Sequence, residues 1–137
     1  MNKNLNEFNK WLKQAIADLN AAKANKKEFP YNSCFLSQQS AEKALKAFLY
    51  LKGKRDLITH SIVLLIQVCS EYNKDFLDFK KDAKRLDSNY LATRYPDALP
   101  DQTPVDFYDL EDAEESINSA EKILNKVLEE KEKIDKA

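Results

Sequence analysis

Backbone breaks are what this chain lacks. It has one glycine, Gly53, and four prolines in 137 residues, so positions suited to a tight turn are scarce. Three of the prolines crowd together at 96, 100 and 104, marking the only extended non-helical stretch, Ala92 to about Asp106. Elsewhere Lys, Glu, Leu and Ala are abundant, apolar residues recur at spacings of three and four, and no stretch alternates convincingly with period two. These features predict an all-α fold, an antiparallel up-and-down bundle of four to five helices joined by short connections. The length fits a single domain over 1–137 that is large enough to bury a proper core. The core is expected at about 4–128, with a charged tail over 129–137 that frays into solvent.

Five helices are predicted. The first, from about Asn4 to Lys26, carries the stripe Leu5, Phe8, Leu12, Ala15, Leu19 and Ala22, broadened by Trp11 and Ile16. The second, from about Tyr31 to Lys52, places Cys34, Gln38, Ala41, Leu45, Phe48 and Leu49 on one face, with Gly53 as its terminator. Lys43, Lys46 and Lys52 lie off that face, and Glu42 stands four residues before Lys46, a pair that supports a helix. Thr59 is the expected N-cap of a third helix over His60–Glu71, and Asn73 that of a fourth over Lys74–Leu91. A fifth carries Leu110, Ala113, Ile117, Ala120, Leu124, Val127 and Leu128, with Thr103-Pro104 suited to begin it. The apolar faces of the first two helices are wide, with Phe8, Trp11, Phe35 and Phe48 among them, which suggests a homodimer.

Charged residues at 33% against 43% hydrophobic ones give a folded, water-compatible balance rather than a disordered one. The apolar run Ile62–Ile66 is far too short to cross a bilayer. No charged-then-apolar leader opens the chain, so the expected location is the cytoplasm and no membrane is involved. Cys34 and Cys69 fall on apolar stripes and read as core thiols rather than a disulfide or metal pair. With a single histidine, no metal site is expected. Residues 1–105 carry 17 basic and 12 acidic side chains, whereas 106–137 carry 5 and 11. Two explanations stay open: the acidic last helix pairs with basic ones, or a basic surface, with Lys43, Lys46, Lys52 and Lys54 as candidates, stays free for an anionic partner.

The segment Gln-Gln-Ser-Ala-Glu-Lys-Ala-Leu-Lys-Ala, residues 38–47, resembles the second helix of HEPN-domain proteins. Thr59-His60-Ser61 is similar to the opening of the third helix in small standalone members. Arg94-Tyr95-Pro96-Asp97-Ala98 resembles the loop before their last helix, and Tyr108 with Glu111-Asp112-Ala113 resembles the residues after that loop. Together these blocks span roughly residues 8–128. The resemblance implies a four- to five-helix bundle that dimerises, and a nucleotide- or substrate-binding module working with a separately encoded minimal nucleotidyltransferase, often as a toxin–antitoxin pair. No acidic triad on a sheet is present, so the chain is not itself that transferase, and no cofactor is expected.

Two sets of residues are candidates for chemistry. Arg55 and His60 formally match the arginine–histidine motif of ribonuclease members. Histidine would then transfer a proton at the ribose 2′-hydroxyl or leaving oxygen while arginine holds the phosphate, a metal-independent RNA cleavage. Their place at the turn into the third helix, and Ile62 where nucleotidylated members carry tyrosine, depart from that pattern. Otherwise His60 is a first-turn residue that packs locally. Arg94, Tyr95 and Asp97, with Tyr90, form the second set. In a proline-rich loop that loses little entropy on fixing, arginine would grip phosphate while a tyrosine stacks on a base. Alternatively Tyr95 plugs the bundle end, Asp97 caps a turn and Arg94 pairs with an acid of the last helix. Gln38 and Gln39 either bond within the fold or read a base edge. A glycine-rich phosphate loop is excluded by the glycine count.

Overall fold

A computed structural model of the chain describes residues 2–136. Helices α1 (Lys3–Asn25) and α2 (Pro30–Leu51) form a long antiparallel hairpin. Their stripes meet as the heptad-like spacing predicts, and Phe8, Leu12, Ala15, Leu19 and Ala22 are buried against Ala41, Ala44, Leu45 and Phe48. Alanine and serine at the contact allow close approach. Ser33 and Ser40 use their hydroxyls to reach across to the carbonyls of Ala22 and Ala15, each at 2.7 Å, which fixes the register of the pair. Full burial of Phe8 and Phe48 contributes about 1.5–3 kcal/mol apiece. Of the four aromatic residues on the wide apolar faces, Phe8 and Phe48 are buried inside the chain, whereas Trp11 and Phe35 are only partly covered.

Pro30 stands at the first turn of α2, where its missing N–H costs nothing. At the other end Gly53, at φ +89°, reverses the chain. Its N–H bonds the Tyr50 carbonyl and the Lys54 N–H bonds that of Leu49, both at 3.0 Å, a Schellman closure. The next residues, to Ser61, run back beside α2. Short helix α3 (Ile62–Cys69) therefore starts beside Gln38 and ends beside Leu45, pointing the same way as α2.

A 3₁₀ segment (Lys74–Phe79) capped by Asn73, then α4 (Lys80–Asp87) and α5 (Asn89–Ala92), return antiparallel to α3. The sequence predicts one helix over Lys74–Leu91. The structure breaks it in three, inserting Phe76 against Phe48 with ring centroids 4.8 Å apart. The proline-rich stretch holds a 3₁₀ turn at Pro96–Ala98 and α6 (Pro104–Phe107). Thr103-Pro104 thus opens a single turn rather than the last helix. That helix, α7 (Leu110–Lys136), starts with a reciprocal box in which the Asp109 and Asp112 carboxylates accept from each other's N–H at 2.9 and 3.0 Å.

Helix α7 does not fray after Leu128. It stays helical to Lys136, and Glu130 is buried with Lys133 2.7 Å away. Its acids pair with basic helices: Glu121 with Lys23, Glu114 with Lys26, Glu115 with Arg85. The first explanation of the charge asymmetry thus holds for these basic residues. Among the described residues there is no strand, and no helix is long and apolar enough to cross a membrane.

Candidate functional site

The returning segment delivers His60 to the middle of α2. The expected N-cap, Thr59, accepts only from the Ser61 N–H, and His60 lies outside the helix. Ser61 caps α3 through its hydroxyl, which accepts from the Leu64 N–H at 3.2 Å. The Asp87 carboxylate, arriving from α4, accepts from Ser61 Oγ (2.9 Å), the Val63 N–H (3.1 Å) and the Ile62 N–H. This pins the backbone one residue after His60. On the other side, Gln38 Nε2 donates to the His60 carbonyl at 3.0 Å.

The His60 ring faces a buried polar cluster. Its Nδ1 lies 3.1 and 3.3 Å from the two Glu42 carboxylate oxygens. Glu42 also accepts from Lys46 Nζ at 3.0 Å and Gln38 Nε2 at 3.2 Å. The Glu42 and Lys46 side chains are 6% and 5% exposed, a buried ion pair, whereas that of His60 is 52% exposed. A hydrogen on Nδ1 directed at the carboxylate leaves Nε2 with its lone pair outward. A carboxylate orienting an exposed imidazole is half of a general-base arrangement. Glu42 is the site residue that sequence reasoning missed. The signal was there, since Gln38, Glu42 and Lys46 form a polar column at four-residue spacing.

Tyr90 joins the two predicted sets. The His60 ring stacks on it at 4.8 Å between centroids and 14° between planes. The Arg94 guanidinium carbon sits 4.7 Å from the Tyr90 ring, 4.9 Å from Phe35 and 5.2 Å from Tyr95. Arg94 Nε donates to the Tyr90 carbonyl at 3.2 Å, and Arg94 has no carboxylate partner among the described residues. The expected pairing with an acid of the last helix is not made. Tyr95 is 51% exposed and does not plug the bundle end. Asp97 is exposed in the 3₁₀ turn, where no side-chain cap bond forms. His60 and Arg94 thus both contact the Tyr90 ring, which brings an imidazole, a phenol and a guanidinium together.

Other predicted residues do not converge there. Arg55 bonds the Tyr50 and Lys54 carbonyls at 3.2 and 2.7 Å and Asn4 Oδ1 at 2.7 Å, and lies over the Tyr50 ring. Tyr50 is eight residues beyond Glu42 on α2, about 12 Å of helical rise, so the structure holds Arg55 apart from His60. Lys46 is buried rather than facing solvent, and Lys43 pairs with Asp18 at 2.6 Å. Lys52 is exposed but lies over Phe48 and Tyr72, and Lys54 is half-buried. These four do not form an open basic surface. Gln39 donates to Gln38 Oε1 at 2.7 Å, so Gln38 is engaged within the fold rather than free for a base.

Burial pushes the Cys34 thiol up to about 11 and the Cys69 thiol higher still, so both stay protonated and unreactive at neutral pH. Burial, with Cys34 and Asp112 nearby, likewise raises Tyr108 to about 12. Among the described residues no group of three or more His, Cys, Asp or Glu is placed to hold a metal ion.

A sequence profile described as the HEPN domain matches residues 8–132. The crystal structure of TT1696 from Thermus thermophilus is 36% identical, with a TM-score of 0.84 over 90% of this chain and 98% of that one. The crystal structure of ST0689, an archaeal HEPN homologue, is 38% identical, with a TM-score of 0.73 over 90% and 96% of the two chains. A Methanocaldococcus jannaschii protein named "Putative toxin MJ1304" is 29% identical over 123 residues, covering 83% of this chain and 81% of its own.

Proposed function

The chain belongs to the HEPN family, and on that premise we propose that it is a nucleotide-binding module acting with a separately encoded minimal nucleotidyltransferase in a toxin–antitoxin pair. One observation carries the binding assignment: Arg94, held by three aromatic rings and without a carboxylate partner among the described residues. Such a guanidinium offers a phosphate its fork of donors, and the exposed Tyr95 ring beside it offers a base a stacking surface. His60 adds a hydrogen-bond acceptor through Nε2. The relative named as a toxin supports the toxin–antitoxin setting.

Calorimetry with ATP, AMP and short RNA tests the assignment. Arg94→Ala should weaken binding about ten- to a hundredfold, the equivalent of losing one charge-assisted hydrogen-bonded contact of roughly 1.5–3 kcal/mol. Arg94→Lys should recover only part of it. Absence of binding, or binding indifferent to both changes, removes the assignment.

A second reading has one observation in its favour. The Glu42–His60 pair suits proton transfer, so metal-independent RNA cleavage is the alternative, with Arg55 engaged elsewhere and Arg94 as the arginine beside the same tyrosine. Cleavage of total RNA in EDTA, abolished by His60→Ala and Arg94→Ala but retained by Arg55→Ala, would establish it in place of simple binding.

A further inference from the structure

Between α3 and the 3₁₀–α4 segment lies an open groove of about 400 Å³ that shares no residue with the His60–Tyr90–Arg94 cluster. Its walls are apolar at Val63, Ile66 and Leu77 and polar at Gln67 and Ser70, and Lys80 and Lys84 stand on the α4 side. Leu77 is 37% exposed, and Leu64, next to Val63 on α3, is 47% exposed. The outward face of α3 thus shows Leu64 beside the exposed Gln67. Neither lysine is in an ion pair among the described residues.

The reason is the way α4 and its approach dispose of their acids. Asp82 turns inward to Ser119 (2.7 Å) and Lys122 (4.0 Å), Asp87 caps α3, and Asp75 pairs with Lys126 at 3.6 Å. Lys74, Lys80, Lys81 and Lys84 are all exposed, as are two acids among them, Asp75, which pairs with Lys126, and Asp78. The groove thus combines an apolar strip at Val63, Ile66 and Leu77, a polar patch at Gln67 and Ser70, and two lysines, unpaired among the described residues, on its rim.

We propose that this groove is a docking site for an acidic amphipathic helix of a partner protein. Lys80 and Lys84 are four residues apart, about 6 Å along α4. That spacing matches two carboxylates one turn apart on a helix laid along the groove, while its apolar side chains enter between Val63, Ile66 and Leu77. Charge complementarity supplies the choice of partner and speeds encounter. A nucleic acid strand fits less well. No aromatic ring is among the described residues lining the groove, so a base has nothing to stack on, and Val63, Ile66 and Leu77 gain nothing from phosphate.

The test is a titration of the isotopically labelled full chain with a synthetic helical peptide carrying paired leucines on one side and glutamates beside them. Parallel arms use the same peptide with glutamine for glutamate, and a short RNA. The acidic peptide should shift the amide signals of Val63, Gln67, Leu77, Lys80 and Lys84, and should bind about tenfold or more tightly than the glutamine peptide at low salt. Lys80→Glu with Lys84→Glu should abolish the shifts. Both side chains are exposed, so an unchanged thermal melt is expected, and Leu77→Ser serves as an independent second variant with the same predicted loss. No shift at the groove, equal binding of both peptides, or shifts caused by RNA instead would overturn the proposal. None of these variants touches Arg94, so nucleotide binding reports separately on the function proposed above.

Discussion

Replacing Asp87 by alanine asks how firmly the chain is held where it carries His60. The substitution removes three bonds at once, from Ser61 Oγ, the Val63 N–H and the Ile62 N–H. The two N–H groups belong to the first turn of α3, where no intrahelical carbonyl can serve them. Loss of a capping side chain costs about 1 kcal/mol. Loss of a carboxylate at a helix N-terminus adds roughly 0.3–1 kcal/mol. Ser61 still caps Leu64, and Asp87 is only half-buried, so water recovers part of the remainder. The expected total is about 2 kcal/mol, a fall of roughly 7 °C in Tm for a chain this size. Asp87→Asn, which keeps shape and one acceptor but loses the charge, should fall between. Urea unfolding at pH 7, followed by the helical circular dichroism signal, measures both. A stability for Asp87→Ala within about 0.5 kcal/mol of the parent, the range of an ordinary surface change, would refute the view that this carboxylate anchors α3.

Glu42→Ala should destabilise by about 3 kcal/mol or more, because it strands the buried Lys46 ammonium without a countercharge; urea unfolding measures it, and Glu42→Ala with Lys46→Met should recover much of the loss. Gly53→Ala should cost about 1–2 kcal/mol from the positive φ alone, since a Cβ there meets Asn4 Nδ2 only at an ordinary 3.5 Å; a thermal melt equal to the parent's would contradict this. Burial raises Glu130, but the Lys133 and Asn73 hydrogen bonds outweigh it and hold its carboxyl below the usual range. Its stabilising contribution is therefore full above the unfolded-chain value, about 4.3, and is lost as pH falls through the lower folded value. Acid titration of the unfolding free energy should show a shallower low-pH decline for Glu130→Gln.

The resemblance in residues 38–47, around Thr59 and after Arg94 points to the family that the comparisons bear out. Local periodicity gives the ends of α1 and α2 to within one residue, and Asn73 and Gly53 act as their types predict. These features depend on side chains within a turn or two of one another, so a linear reading reaches them. The sequence puts the start of α3 two residues early, because its second cap, Asp87, lies 26 residues beyond Ser61. The burial of Glu42 and Lys46 is hidden from it, because an i,i+4 pair looks the same on a wet face and a dry one. Arg55 and His60 are close in sequence, yet a non-helical connection with Asp56 at φ +59° and the Asn4 contact carry them apart. Tyr90 brings His60 and Arg94, 34 positions apart, to a common ring. Periodicity and capping residues thus set which segments are helices, because both act within a turn or two. Only packing between distant segments decided which charges are buried and which are paired, and that Arg94 meets aromatic rings rather than a carboxylate among the described residues.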